Sequence, residues 1–119
     1  MSKVHYCPKP QAHARVALLS NPQSAGSLAE LPRIRAFCAE HPQVFHYEVE
    51  DPAQVGQAMK SIAQVRPTLL AINGGEPTVL AALAEFGQFG EAPPPLEVIA
   101  GGKVEELRRL VERASCSNA

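Results

Sequence analysis

Aromatic residues fill only 5% of the 119 positions, and tryptophan is absent. A binder of single-stranded nucleic acid normally stacks bases on such rings, so that class lacks its platform here. An excess of positive charge is missing too: 11 Lys and Arg stand against 12 Asp and Glu, a formal charge of -1. With no net basic field to gather a polyanion, no nucleic-acid partner is expected. Cysteine is sparse. Cys7, Cys38 and Cys116 are odd in number and far apart, which gives neither a disulfide framework nor zinc-ligand spacing and suits a reduced, cytoplasmic setting. Long hydrophobic runs are lacking as well: no signal-peptide core precedes Arg15, and no stretch is long enough to span a bilayer.

What is present fits one small globular domain. Hydrophobic residues make up 45% and charged residues 19%, and a chain of this size can bury roughly two-thirds of its unfolded surface. The expected organisation is a polar leader over 1–13, one domain over 14–114 and a short tail over 115–119.

Within the domain, the apolar runs alternate with helical spacing. Val16-Ala17-Leu18-Leu19, closed by Asn21-Pro22, reads as a strand apolar on both faces. Ser27 and Glu30 have capping-box spacing before Leu31, Ile34, Phe37 and Cys38, with Pro32 tolerable only in the first turn. Val44 to Val49 alternates weakly, as an edge strand would. Asp51-Pro52 is a cap followed by a helix-starting proline, and Val55, Met59, Ile62 and Val65 continue at helical spacing.

Thr68 to Ile72 is the most apolar strand. After Gly74-Gly75, the residues Val79, Leu80, Leu83 and Phe86 are expected to form the buried face of the next helix. Beyond the spacer Pro93-Pro94-Pro95, Leu96 to Ile99 is a fourth strand and Val104 to Arg113 a final helix. The order β-α-β-α-β-α-β-α predicts an α/β fold of three layers, α-β-α, around a mostly parallel four-stranded sheet.

In such sheets ligands bind beyond the carboxyl ends of the strands. Three segments leave that edge: Asn21-Pro22-Gln23-Ser24, Asn73-Gly74-Gly75-Glu76-Pro77-Thr78 and Ala100-Gly101-Gly102-Lys103. Glycine lets backbone N–H groups face an anion at a helix start, which suits a phosphate; equally, glycines make tight strand-to-helix turns. Two fingerprints are absent. No Gly-x-Gly-x-x-Gly follows the first strand, and Glu97 and Val104 break the P-loop pattern around Gly102-Lys103.

Taken together, these three loops resemble the catalytic domain of diacylglycerol kinases, which is shared with sphingosine and ceramide kinases and related in fold to NAD kinases. The likeness runs from about Arg15 to Arg109. It implies ATP with magnesium and phosphoryl transfer to a lipid hydroxyl. By that likeness Asn21 and Ser24 line the nucleotide site, Gly74 and Gly75 approach the phosphates, and Thr78 bonds the nucleotide region. Gly102 and Lys103, in the last loop, complete the nucleotide site. Lys103 is either a point charge on a phosphate or simply a solvated lysine at a helix start. Glu76 takes the place of a catalytic Asp near the metal.

The pattern also departs from the family. Glu76 and Pro77 stand where the family has Asp and Gly, and Ala100, Lys103 and Glu105 where it has Pro, Thr and Asn. An added methylene displaces the carboxylate by roughly 1 Å, and Pro77 removes a donor, leaving the Thr78 and Val79 amides for an anion. The family's second, β-rich domain has no counterpart in these residues. The expectation is a weak or inactive nucleotide-binding half, completed by a lipid substrate or by a second domain or chain. The alternative is a pseudokinase-type interaction domain that kept the fold and lost the site. Nothing in the sequence requires or forbids a homo-oligomer.

Overall fold

The computed structural model describes residues 14–22, 28–99 and 103–116. Four strands, β1 (Val16–Ser20), β2 (Val44–Glu48), β3 (Leu69–Asn73) and β4 (Leu96–Val98), form one parallel sheet in the order β2-β1-β3-β4. β1 and β3 are the central strands, and every residue in each is buried. Their unbroken apolar runs follow from this, because helices cover both faces. β2 lies at an edge, as its weaker alternation predicts, and three of its residues are half-buried.

Among the described residues, three α-helices link successive strands, α1 (Leu31–Ala39), α2 (Val55–Gln64) and α3 (Glu76–Ala84), and α4 (Val104–Cys116) follows β4. On one side of the sheet, Val16, Leu18 and Ala71 pack with Ile34 and Phe37 of α1 and Leu107, Leu110 and Val111 of α4. On the other, Ala17, Leu19, Leu70 and Ile72 pack with Val55, Met59 and Ile62 of α2 and Ala82 of α3. The chain steps outward from β1 to β2, then back across β1 to β3. With one crossover handedness, that reversal puts α1 and α2 on opposite faces. The three-layer α/β architecture expected from the sequence is therefore present.

Local signals explain most of the boundaries. The Asp51 carboxylate accepts from the Ala53 N–H at 2.8 Å, with Pro52 opening the 3-10 turn that leads into α2. Pro32 sits in the first turn of α1, where its missing donor costs little. The Ser27 half of the capping box lies outside the described residues; Glu30 precedes α1 and makes no side-chain cap bond. The Pro94 side chain is buried and the Pro95 carbonyl accepts from the Leu70 N–H at 2.9 Å. The proline triplet is thus an ordered lead into β4.

The expected face of α3 needs correcting in part: Val79 and Phe86 pack half-buried against the core as expected, and Leu80 and Leu83 do not. Thr78 and Ala82 are its buried residues, whereas Leu80 is 57% and Leu83 47% exposed. The helix is apolar nearly all round, so periodicity selects no face, and the side with small residues is the one that lies closest to the sheet.

Arg66 follows the C-cap of α2 at φ 52°, the left-handed region in which a Cβ is strained. Arg66→Gly is expected to stabilise the fold by about 1 kcal/mol, read as a higher urea midpoint at unchanged slope. A lower midpoint would show that the arginine side chain offsets the strain. Among the described residues no helix is long and apolar enough to cross a membrane.

Candidate functional site

The strand order reverses between β1 and β3, and the carboxyl ends of these strands are the position where open α/β sheets take ligands. Here the core stops being apolar. Ser20, Asn21, Asn73 and Thr78 are each no more than 1% exposed, and they are the buried polar residues among those described. Burial of polar side chains is costly unless hydrogen bonds satisfy them. The bonds are there. The Asn21 N–H donates to the Asn73 carbonyl at 2.8 Å, stitching the two strand ends beyond the regular ladder. The Asn21 Nδ2 donates to Thr78 Oγ1 at 3.2 Å, and the Asn73 Nδ2 to Ser20 Oγ at 3.4 Å.

Of the residues singled out from the sequence, Asn21, Gly74, Gly75 and Thr78 meet at this rim. Glu76 stands exposed in the first turn of α3, at its N-terminus. Lys103 is exposed just before α4, on the segment that leaves parallel β4 at the same end. Ser24 and Gly102 lie outside the described residues, as do Ala100, Gly101 and the leader.

Gly74 has a steric role. A Cβ there would stand 3.0 Å from the Thr78 Cβ and 3.1 Å from its Cγ2 and Oγ1. Thr78 is buried and stiff about χ1, so it has little room to yield. Gly75 caps α3 in extended backbone, φ -82° and ψ -177°, which any residue can adopt.

The amides at this turn also differ from expectation. The Thr78 N–H donates to the Gly75 carbonyl at 3.0 Å and the Val79 N–H to the same oxygen at 3.2 Å. Neither is left for an anion. Pro77 contributes no N–H, and the Glu76 carboxylate sits where the helix dipole is positive.

Glu105 is electrostatically balanced. Arg33 reaches it at 3.3 Å and also pairs with Glu30 at 3.5 Å. The Glu105 amide, Arg33 and Lys103 together hold the carboxyl below its ordinary range. Glu105 therefore does not stand alone as a negative charge facing the rim.

Sequence reasoning missed a polar chain beneath the rim. Ser20 Oγ and His46 Nε2 are 2.8 Å apart, and His46 Nδ1 lies 3.7 Å from Glu48 Oε2. Glu48 in turn receives Arg35 Nε at 2.8 Å and Nη2 at 2.7 Å, a bidentate pair that lowers the carboxyl pKa. Burial pushes the His46 ring below its ordinary pKa; Glu48 opposes this and Arg35 adds to it. The available signal was strand parity: His46 and Glu48 share one face of β2, and that face is also the face of Ser20 and Asn73 once β2 lies beside β1.

Other candidates close. Burial raises the Cys38 thiol to about 11, with the Glu48 charge adding to it, so no ready thiolate exists. His41 stacks on Phe37 at 3.8 Å and its Nδ1 meets the Phe37 carbonyl at 2.7 Å. No group of three or more metal-ligating side chains occurs among the described residues. A cleft of about 380 Å3 is lined by Arg66, Pro67, Phe89 and Pro94. Pro67 and Pro94 precede β3 and β4, so it lies at the end of the sheet opposite the polar rim.

Neither the known family models nor the curated proteins contain a match to this chain. Solved structures do. A Bacillus anthracis str. Sterne protein named provisionally as a diacylglycerol kinase superposes with a TM-score of 0.63 at 17% identity, covering 83% of this chain and 41% of its own. A second structure of the same description gives 0.54 at 19% identity, covering 71% and 30%. The likeness is one of fold. This chain thus spans less than half the length of the proteins it superposes on.

Proposed function

We propose that this chain is the nucleotide-binding half of a diacylglycerol-kinase-like lipid kinase, taking ATP with magnesium at the β1/β3 rim. The observation that carries the reading is the convergence of Asn21, Gly74, Gly75 and Thr78 at the switch point of a fold shared with proteins of that description. Phosphoryl transfer asks mainly for positioning and charge neutralisation. Asn21 and Gly75 would position the nucleotide, and Lys103 would add a point charge. Magnesium commonly keeps water and phosphate oxygens and takes one or two carboxylates; Glu76, exposed at the helix start, can supply one to an ion arriving on the triphosphate. A lipid hydroxyl as acceptor needs a second wall to exclude water, which a further domain or chain would supply.

One observation favours a second reading, a non-catalytic interaction domain. The α3 amides of Thr78 and Val79 are taken by Gly75, and Glu76-Pro77 makes a self-sufficient helix start. Calorimetric titration with magnesium-ATP separates the two. The kinase-like reading expects saturable binding in the high micromolar to millimolar range that weakens at least tenfold in Asn21→Leu with the fold intact by circular dichroism. No heat at several millimolar ATP would leave the interaction-domain reading standing.

A further inference from the structure

The chain of bonds under the rim has a direction. Arg35 holds Glu48 as a carboxylate, which can only accept. At 3.7 Å the carboxylate is too far from His46 Nδ1 for a hydrogen bond, but its field favours an N–H on that side, with the proton on Nδ1 and Nε2 as the acceptor. Ser20 has one hydroxyl proton, and it goes to His46 Nε2. The same oxygen is then free to accept from the Asn73 Nδ2. Each step fixes the next, from an ion pair at the surface to an amide that is 1% exposed.

We propose that His46 is a positioning residue for the rim, acting through Ser20 to hold the Asn73 carboxamide in one orientation. Asn73 also accepts from the Asn21 backbone, so its placement sets where the β1 and β3 ends meet. Protonation of His46 reverses the relay. Nε2 becomes a donor, and the Ser20 hydroxyl turns its proton away from the ring. That oxygen then accepts from both the charged ring and the Asn73 Nδ2, and the competition loosens its hold on the carboxamide.

The charged groups acting on the ring are Glu48 on its own strand and Arg35 from α1; from β1 it meets the Ser20 hydroxyl. Cys38 of α1, which senses the same Glu48 carboxylate, stays a neutral thiol. Desolvation dominates the balance and keeps the ring neutral below its ordinary range. The folded state thus binds fewer protons than the unfolded chain in this window. The relay is intact above pH 6.5 and is lost as pH falls through the lower folded pKa.

The consequence for binding rests on the nucleotide reading above, and the test has one arm that does not. Nitrogen-15 NMR of the purified chain reads the His46 tautomer and the Asn73 side-chain amide from about pH 8 to pH 5. The Nδ1–H tautomer is expected, with the Asn73 signals moving at the His46 midpoint. In His46→Gln, whose side-chain oxygen can accept from Ser20, those signals should stay near their high-pH position throughout. An Nε2–H tautomer, or Asn73 signals that ignore His46, overturns the proposal. The second arm is magnesium-ATP affinity at about pH 7.5 and at a pH below the His46 midpoint that the NMR arm reads. A loss on the order of tenfold, one hydrogen bond's worth, is expected in the wild type and absent in His46→Gln. Binding that is equally strong at both pH values in the wild type refutes the positioning role. Absence of binding at either pH refutes the nucleotide reading, and the NMR arm still decides the relay.

Discussion

Gly74→Ala is expected to destabilise the fold by about 1–3 kcal/mol, the usual cost of forcing one carbon into a packed site. The new methyl would meet the Thr78 Cβ at 3.0 Å, and Thr78 is fully buried at the start of α3. Thr78 cannot swing aside without breaking its bond to the Asn21 Nδ2. The strain therefore falls on the contact between the β3 turn and the β1 end. Chemical denaturation of Gly74→Ala, Thr78→Ala and the double variant measures it as a cycle. Thr78→Ala removes the two 3.1 Å contacts, so the double variant should be less unstable than the sum of the singles. The same proteins separate the two roles for Gly74. If the glycine serves packing alone, the double variant recovers part of the stability and keeps whatever magnesium-ATP affinity Thr78→Ala has. If phosphates approach it, that part returns and affinity does not. A Gly74→Ala protein within about 0.5 kcal/mol of wild type would show that the turn gives way freely.

The sheet was legible because its signals are local. Val16 to Leu19 and Leu69 to Ile72 are apolar on both faces, which only a central strand in a covered parallel sheet requires. Asp51-Pro52 marks a helix start through groups two residues apart. The face of α3 was not legible, since Val79, Leu80, Ala81 and Leu83 give the helix apolar residues in every direction. Small residues won, because close approach to the sheet depends on shape that hydropathy does not record. The Ser20–His46 contact was hidden for a different reason. It joins residues 26 apart and exists only if β2 lies beside β1, a matter of strand order. Within the site, the Gly74-Gly75 turn was readable as a turn after β3. That Gly74 answers to Thr78 needed the packing of the next helix. The bonds of the Thr78 and Val79 amides to the Gly75 carbonyl likewise depend on α3 beginning at Glu76.

Truncation of Leu18 tests the layered core from which the rim is built. Leu18 is fully buried at the centre of β1, between β2 and β3, and belongs to the cluster that joins the sheet to α1 and α4. Leu18→Ala should cost about 2–5 kcal/mol through lost burial and the cavity left behind. Against a typical stability of about 5–15 kcal/mol, that is a large share, read as a fall in the unfolding midpoint of roughly 10–20 °C. Leu80→Ala and Leu83→Ala are the controls. Both leucines belong to the expected buried face, yet they are 57% and 47% exposed, so each should change stability by less than about 1 kcal/mol. The contrast places α3 by thermodynamics. A Leu83→Ala variant as unstable as Leu18→Ala would turn the helix over, taking Thr78 away from Asn21 and Gly74 and dissolving the rim on which the nucleotide reading stands.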